Sequence, residues 1–262
     1  MSRPVAAAII GLTLAFSSRA AESAAPMTAN DLASRLSALR QNGASYVRLR
    51  MEIKGATTET LQLQIKERRT TNSSEVVYQV LYPKERKGES VLLRKIGNRP
   101  ASGSVLVPPN TLRPIDDLKA PLFGSDLSCE DVVENFFAWE QQAIVGTEKV
   151  DGVKCSILES KPGKDERSIY GSVRSWIDVR RLVPLRVEKY AISGQLLRRI
   201  DTIDVVADAG HQVPATLVVS GARADSSTRI AGSRIRHNVT YTDRDFTTEG
   251  LKELAAPSRS SN

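Results

Sequence analysis

Residues 45–66 read SYVRLRMEIKGATTETLQLQIK, and their period decides the fold. Val47, Leu49, Met51 and Ile53 alternate with Arg48, Arg50, Glu52 and Lys54. After a polar break at 55–59, Leu61, Leu63 and Ile65 alternate with Gln62, Gln64 and Lys66. Successive side chains of a strand point to opposite faces. A period of two over 45–54 and 60–66 therefore predicts two half-buried strands, one face apolar and the other wet. Sheets with one wet face are antiparallel.

Upstream, Thr28 and Asp31 offer capping side chains before Leu32, Leu36 and Leu39 at helical spacing, and Asn42-Gly43 stops that helix. Downstream, strands are expected at 75–82, 90–96, 141–149, 154–160, 170–179, 183–190, 195–206, 213–220 and 228–241. Asp151-Gly152 is a two-residue hairpin signal, and the broken alternation of Leu196, Leu197, Ile200 and Ile203 predicts a bulge or a twist. Between 98 and 126 stand Pro100, Pro108, Pro109, Pro114 and Pro121, with 104–107 the only strand-like piece. Proline cannot donate to a ladder, so this stretch is expected to cross irregularly with edge pairing at best. In 129–137, Val132, Val133, Phe136 and Phe137 form one broad helical face, and 248–254 predicts a short closing turn of helix. The expected class is α+β, mainly β: one strongly bent antiparallel sheet of roughly eleven strands with helices against it.

The 262 residues, 40% hydrophobic, suffice for a substantial core. With Gly at 16 and Pro at 12, collagen-like and low-complexity classes are excluded. Residues 1–20 read as a secretory signal peptide: Arg3 in the n-region, an apolar run from Val5 to Phe16, and Ser18-Arg19-Ala20 as the cleavage site. A second cutting point follows Ala25. Cutting after Ala20 removes two of the 37 basic residues and none of the 30 acidic ones, so the net charge falls from +7 to +5. The reading is a periplasmic, exported chain with one domain over 27–255 and a loose tail over 256–262.

No catalytic motif emerges. His211 and His237 are the only histidines, neither in an HExxH, and no cysteine–histidine cluster has zinc spacing, so no metal is expected. GxSxG, SxxK, GxGxxG and Walker patterns are missing, which leaves a nucleophile elbow, a nucleotide and any other cofactor without support. The doublets Arg68-Arg69, Arg180-Arg181 and Arg198-Arg199 read as a solvated outer face, with no interleaved aromatics for nucleic acid. Cys129 and Cys155 leave two readings open: a disulfide contributing about 2–4 kcal/mol, or two buried thiols.

The segment Leu122-Phe-Gly-Ser-Asp-Leu-Ser-Cys-Glu-Asp131 resembles a signature of the outer-membrane lipoprotein-sorting (LolA-like) family. The resemblance continues through Val150-Asp-Gly-Val-Lys-Cys155, Trp176-Ile-Asp178, Val183-Pro-Leu-Arg-Val-Glu188, Val213-Pro214 and Asp245-Phe-Thr247. It covers 98–254 by motif and the first strands by pattern. It implies a half-open β-barrel whose helices cover a concave apolar face, and a monomeric carrier rather than an enzyme. The implied partners are an acylated lipoprotein or lipid as cargo, with an inner-membrane transporter and an outer-membrane acceptor.

On that reading the cavity is lined by Leu49, Met51, Leu63, Ile65, Ile177, Leu185 and Val187 from the sheet, with Phe136 and Phe137 from the covering helix. The alternative reading is an envelope regulatory module that senses lipid and binds a protein partner, because fold alone does not choose between them. A third class, a lipid hydrolase, requires His211 or His237 beside a serine and an acid in one cleft.

Overall fold

The computed structural model of the chain describes residues 27–40, 43–221 and 225–252. The signal peptide expected over 1–20 and the tail expected over 256–262 lie outside the described residues. Helix α1 (Ala29–Arg40) is followed by β1 (Ala44–Lys54), β2 (Thr58–Thr70), β3 (Ser73–Tyr82), β4 (Ser90–Ile96), β5 (Ser102–Val107) and β6 (Thr111–Pro114). A short helix α2 (Cys129–Val133) precedes β7 (Gln141–Val150), β8 (Val153–Lys161), β9 (Ser172–Asp178), β10 (Val183–Tyr190), β11 (Leu196–Asp208), β12 (His211–Ser220) and β13 (Ser227–His237). All thirteen strands form one antiparallel sheet in the order β6-β5-β4-β3-β2-β1-β13-β12-β11-β10-β9-β8-β7.

Neighbours in that order are neighbours in sequence, except that β1 pairs with β13 in the middle of the sheet. The free edges are β6 and β7, so the segment joining them, 115–140, has to traverse the sheet. It does so over the concave face, carrying α2 and the 3-10 turn Phe136–Ala138, and α1 packs beside that turn. The sheet is strongly curved and not closed, with few helices.

The alternation at 45–66 persists across the sheet. Val105, Val91, Tyr78, Ile65, Val47 and Ile235 follow one another as cross-strand partners, one inward row over six strands. Two clusters fill the concave side. One is built on Met51, Leu61, Leu63 and Leu93 under Leu122, Leu127 and Val133. The other gathers Leu158, Val173, Ile177 and Val187 under Leu32, Leu36, Phe136 and Phe137. Met51, Leu61 and Leu63 are fully buried, each contributing about 1.5–3 kcal/mol. On the opposite face, Phe246 and Leu251 from the C-terminal 3-10 turns Asp243–Phe246 and Gly250–Lys252 cover Val77, Leu92 and Leu106. The expected helix at 248–254 is thus a single 3-10 turn, with Leu254 outside the described residues.

Three further expectations change, and the open choice for the cysteines is decided. The proline-rich 98–126 contributes a hairpin, β5 and β6, which raises the strands from eleven to thirteen; Pro114 is accommodated because β6 is the edge. The helix expected over 129–137 is two pieces. Glu134 turns extended (ψ 141°), and Arg40 and Arg69 take the carbonyls of Glu134 and Val132 that another helical turn would have used. Strands 195–206 and 213–220 extend to Asp208 and His211, because Ala209 (φ 45°) and Gly210 (φ 81°) close a two-residue turn like that at Asp151-Gly152. The two cysteines are free and buried in different clusters, Cys129 on the concave side and Cys155 on the opposite face, so they form no bridge. The bulge expected in β11 is present, as register shifts around Asp204.

Candidate functional site

A hollow lies under the concave face, where β1, β11, β12 and β13 meet α1 and α2. Its volume is about 500 Å³, within the usual range of small-molecule sites. Val47, Leu49, Ile200, Val213, Leu217, Ile230 and Ile235 line it, and each is only half-buried. A core residue this apolar is normally covered by protein; here the wall is complete and part of the filling is missing.

The opening follows from strand pairing. Among the described residues the β12–β13 ladder runs from Ser220↔Ser227 to Thr216↔Ala231 and ends there. Beyond it the first half of β12 is held by β11 alone, as in Val206↔Val213 and Asp208↔His211. Asp208, His211 and Gln212 at this hairpin tip and His237 at the end of β13 ring the mouth. His237 Nε2 and Asp208 Oδ2 meet at 2.6 Å and tie the hairpin to β13. Ser45 stands opposite His237 in the β1–β13 register, but its hydroxyl donates to Glu67 at 3.3 Å rather than to the imidazole.

The segment that carries the family signature fastens the cover. Phe123 (φ 54°) and Gly124 (φ 84°) turn the chain, and the Ser125 hydroxyl accepts from Leu127 N–H. The Asp126 carboxylate accepts from the hydroxyls of Thr228 (2.8 Å) and Ser226 on the β13 side. Ser128 and Asp131 form a capping box on α2. Glu130 accepts from the hydroxyl of Ser168 and the N–H of Ile169 (3.1 Å), and its burial raises its pKa above the usual carboxylate range. Asp131, with a fully buried side chain, meets Lys189 Nζ at 2.6 Å and Arg198 at 3.0 Å, and accepts from the Tyr170 hydroxyl at 2.7 Å. Burial alone would raise the pKa of Asp131, but these cations outweigh it and hold the carboxyl below its usual range. Lys189 also sits over the rings of Phe136 (5.3 Å) and Tyr170 (5.1 Å). The polar word between Leu122 and Asp131 therefore straps α2 to β10, β11 and β13, while Leu127 and Val132 from the same strap reach into the cavity.

Of the residues expected to line the cavity, Leu49 and Met51 do. Leu63 and Ile65 face the same side but are sealed into the first cluster. Phe136, Phe137, Ile177 and Val187 are packed in the second. Leu185 lies on the opposite face with Trp176 and Val183, because a register shift between Pro184 and Arg186 places two successive residues on one side. Of the arginine doublets, Arg180-Arg181 is exposed as expected, while the other two are not solvated as pairs. Strand alternation sends Arg68 and Arg199 outward to Glu75 and Glu188, and sends Arg69 and Arg198 inward, where both are buried. The missed lining residues on β12 were visible as the alternation of Val213, Ala215, Leu217 and Val219, but nothing local marks an alternating strand as uncovered. No group of metal-ligating side chains is found among the described residues.

An open, bent antiparallel sheet with a strapped cover over an apolar hollow is a LolA-like half-barrel. The model of a family described as an uncharacterized protein matches residues 73–253, and the chain belongs to that family. A DUF1329 family protein from Desulfovibrio piger superimposes with a TM-score of 0.79 at 23% identity, covering 85% of this chain and 97% of that one. A putative outer membrane lipoprotein-sorting protein domain from Vibrio parahaemolyticus gives 0.77 at 19% identity, covering 86% and 98%. A LolA superfamily protein from Nitrosomonas europaea gives 0.69 at 17% identity, covering 85% and 99%. At these identities the likeness is one of fold. The search of curated proteins gives no match.

Proposed function

We propose that this chain binds lipids or the acyl chains of lipoproteins in the concave cavity and carries them through the periplasm, the first 20 residues serving as its export signal. The observation that carries the reading is the row of half-buried apolar side chains, Leu49, Ile200, Leu217, Ile230 and Ile235, around about 500 Å³. Covering such a surface with hydrocarbon contributes about 0.8 kcal/mol per methylene. His237 pairs with an acid, Asp208, but the serine opposite it, Ser45, donates to Glu67 rather than to the imidazole, so the pairing does not extend to a serine nucleophile there. The likeness to a lipoprotein-sorting domain supports the same reading at the level of fold.

The test is mass spectrometry of an organic extract of the mature protein, purified from the periplasm without detergent. A stoichiometric phospholipid or acylated species, reduced in a folded Leu49→Glu variant, is the expected result. A folded protein that is free of lipid and takes up none from vesicles would overturn carriage and turn attention to a protein partner.

A further inference from the structure

The apolar cavity does not end in apolar groups. At the C-terminal end of α1, Arg40 lines both this cavity and a second, polar cleft of about 210 Å³ bordered by Asn72, Ser74, Lys95 and Asn135. Arg69 also lines both. The acids nearby are already matched. Glu67 pairs with Arg69, Asp131 with Lys189 and Arg198, and Asp208 with His237, while Glu134 and Glu166 share Lys95 at 3.0 and 2.7 Å. Arg40 forms no ion pair among the described residues; its guanidinium donates to the backbone carbonyl of Glu134 at 2.8 Å. Burial, and then the adjacent charge of Arg69, push its pKa down to about 10 against the opposing pull of Glu67 and Glu134. In the same cleft the buried Oδ1 of Asn135 has no hydrogen-bond partner, an acceptor waiting for a donor.

We infer that the cargo is a single-chain amphiphile with an anionic, hydroxyl-bearing head, the chain in the apolar cavity and the head on Arg40 beside Asn135. This deepens the carrier reading and rests on it. A guanidinium presents five donors in a planar fork that matches carboxylate or phosphate oxygens, and here one of its bonds goes to Glu134. A neutral head at this place would leave the half-buried guanidinium without a directly bonded counter-charge. Arg69 is more fully engaged, with three of its five N–H donors already given to Glu67, Ser74 and Val132.

The experiment measures equilibrium binding of 1-palmitoyl lysophosphatidate and of monopalmitoylglycerol, which share chain and glycerol but differ in that a phosphate replaces one hydroxyl, with inorganic phosphate as competitor. The lysophosphatidate is expected to bind tighter by about tenfold or more, as charge-assisted hydrogen bonds usually require. Arg40→Gln should erase that preference while leaving monopalmitoylglycerol binding in place, and Arg40→Lys should keep part of it. Inorganic phosphate at millimolar concentration should not compete, since it lacks the chain. Equal binding of both lipids by the unaltered protein overturns the head-group inference and leaves carriage standing. Binding of neither overturns both, and competition by inorganic phosphate alone would make the cleft an ion site unconnected with the cavity. The comparison of the two lipids needs no variant, so a poorly folding Arg40→Gln does not decide the matter.

Discussion

Replacing Asp131 by Asn tests whether the cover is fastened as described. The exchange keeps the size of the side chain and its place in the α2 capping box, but removes the charge that Lys189 and Arg198 face at 2.6 and 3.0 Å. Both cations are nearly buried, at 3% and 10% exposure, so water does not replace the lost partner. Removing one member of such a buried group typically costs about 3–5 kcal/mol. For a domain of this size that lowers Tm by roughly 6–20 °C, readable by circular dichroism or urea unfolding.

The pH dependence follows from the sign of the shift. The folded carboxyl of Asp131 is held below its unfolded value. Its contribution is therefore fully present above about pH 4 and lost as pH falls through the folded pKa. The gap between wild type and Asp131→Asn should be complete at neutral pH and close in acid. Pairing the exchange with Lys189→Met should recover more than about 1 kcal/mol, because it removes one stranded charge. A loss below about 1 kcal/mol at neutral pH, or a gap that does not change with acid, would refute the argument.

Four other outcomes follow from the packing. Leu217→Trp fills the cavity from its half-buried wall, and should cost less than about 1.5 kcal/mol in stability while abolishing uptake of an acyl probe in a fluorescence titration. Leu185→Ala opens a void on the opposite face; it should destabilise by about 2–5 kcal/mol, with probe affinity unchanged once the protein is folded. Asp208→Asn weakens the tie to His237, so hydrogen exchange should quicken at Val206–Val213, where β12 is held by β11 alone, and remain unchanged in β8 and β9. Both thiols should resist a maleimide reagent at pH 8 in the folded protein and react together in denaturant. Burial pushes the Cys129 pKa up to about 11 and raises that of Cys155, so little thiolate is present.

Much of the fold was legible from local periods. The alternation at 47–53 and 61–65 placed these side chains on one face, and β1 and β2 pair in that register. The Thr28 and Asp31 cap, the Asp151-Gly152 turn and the bulge in β11 were equally visible, since each is a property of a few adjacent residues. In 98–126 proline argues against central strands and allows edge pairing at most, and the β5–β6 hairpin takes that edge, but nothing local shows that residues 111–114 would pair there. Leu185 went to the wrong face because a single bulge inverts the parity that alternation assumes.

The site was less legible than the fold, and the reason is physical. By itself the sequence determined the mainly antiparallel class, the inward parity of Leu49 and Met51, and the family signature at 122–131. It could not determine which inward residues are sealed and which stand open. Leu49 and Leu63 are register partners with the same chemistry, yet Leu63 is covered and Leu49 is not. The difference comes from where the 115–140 segment crosses the sheet and where the β12–β13 ladder stops, both set by contacts between residues far apart in the chain. The same holds for Arg40. Its place at the end of a helix was readable, but its meeting with Arg69 and the Glu134 carbonyl at the cavity's polar end exists only once α1, β2 and α2 are packed together.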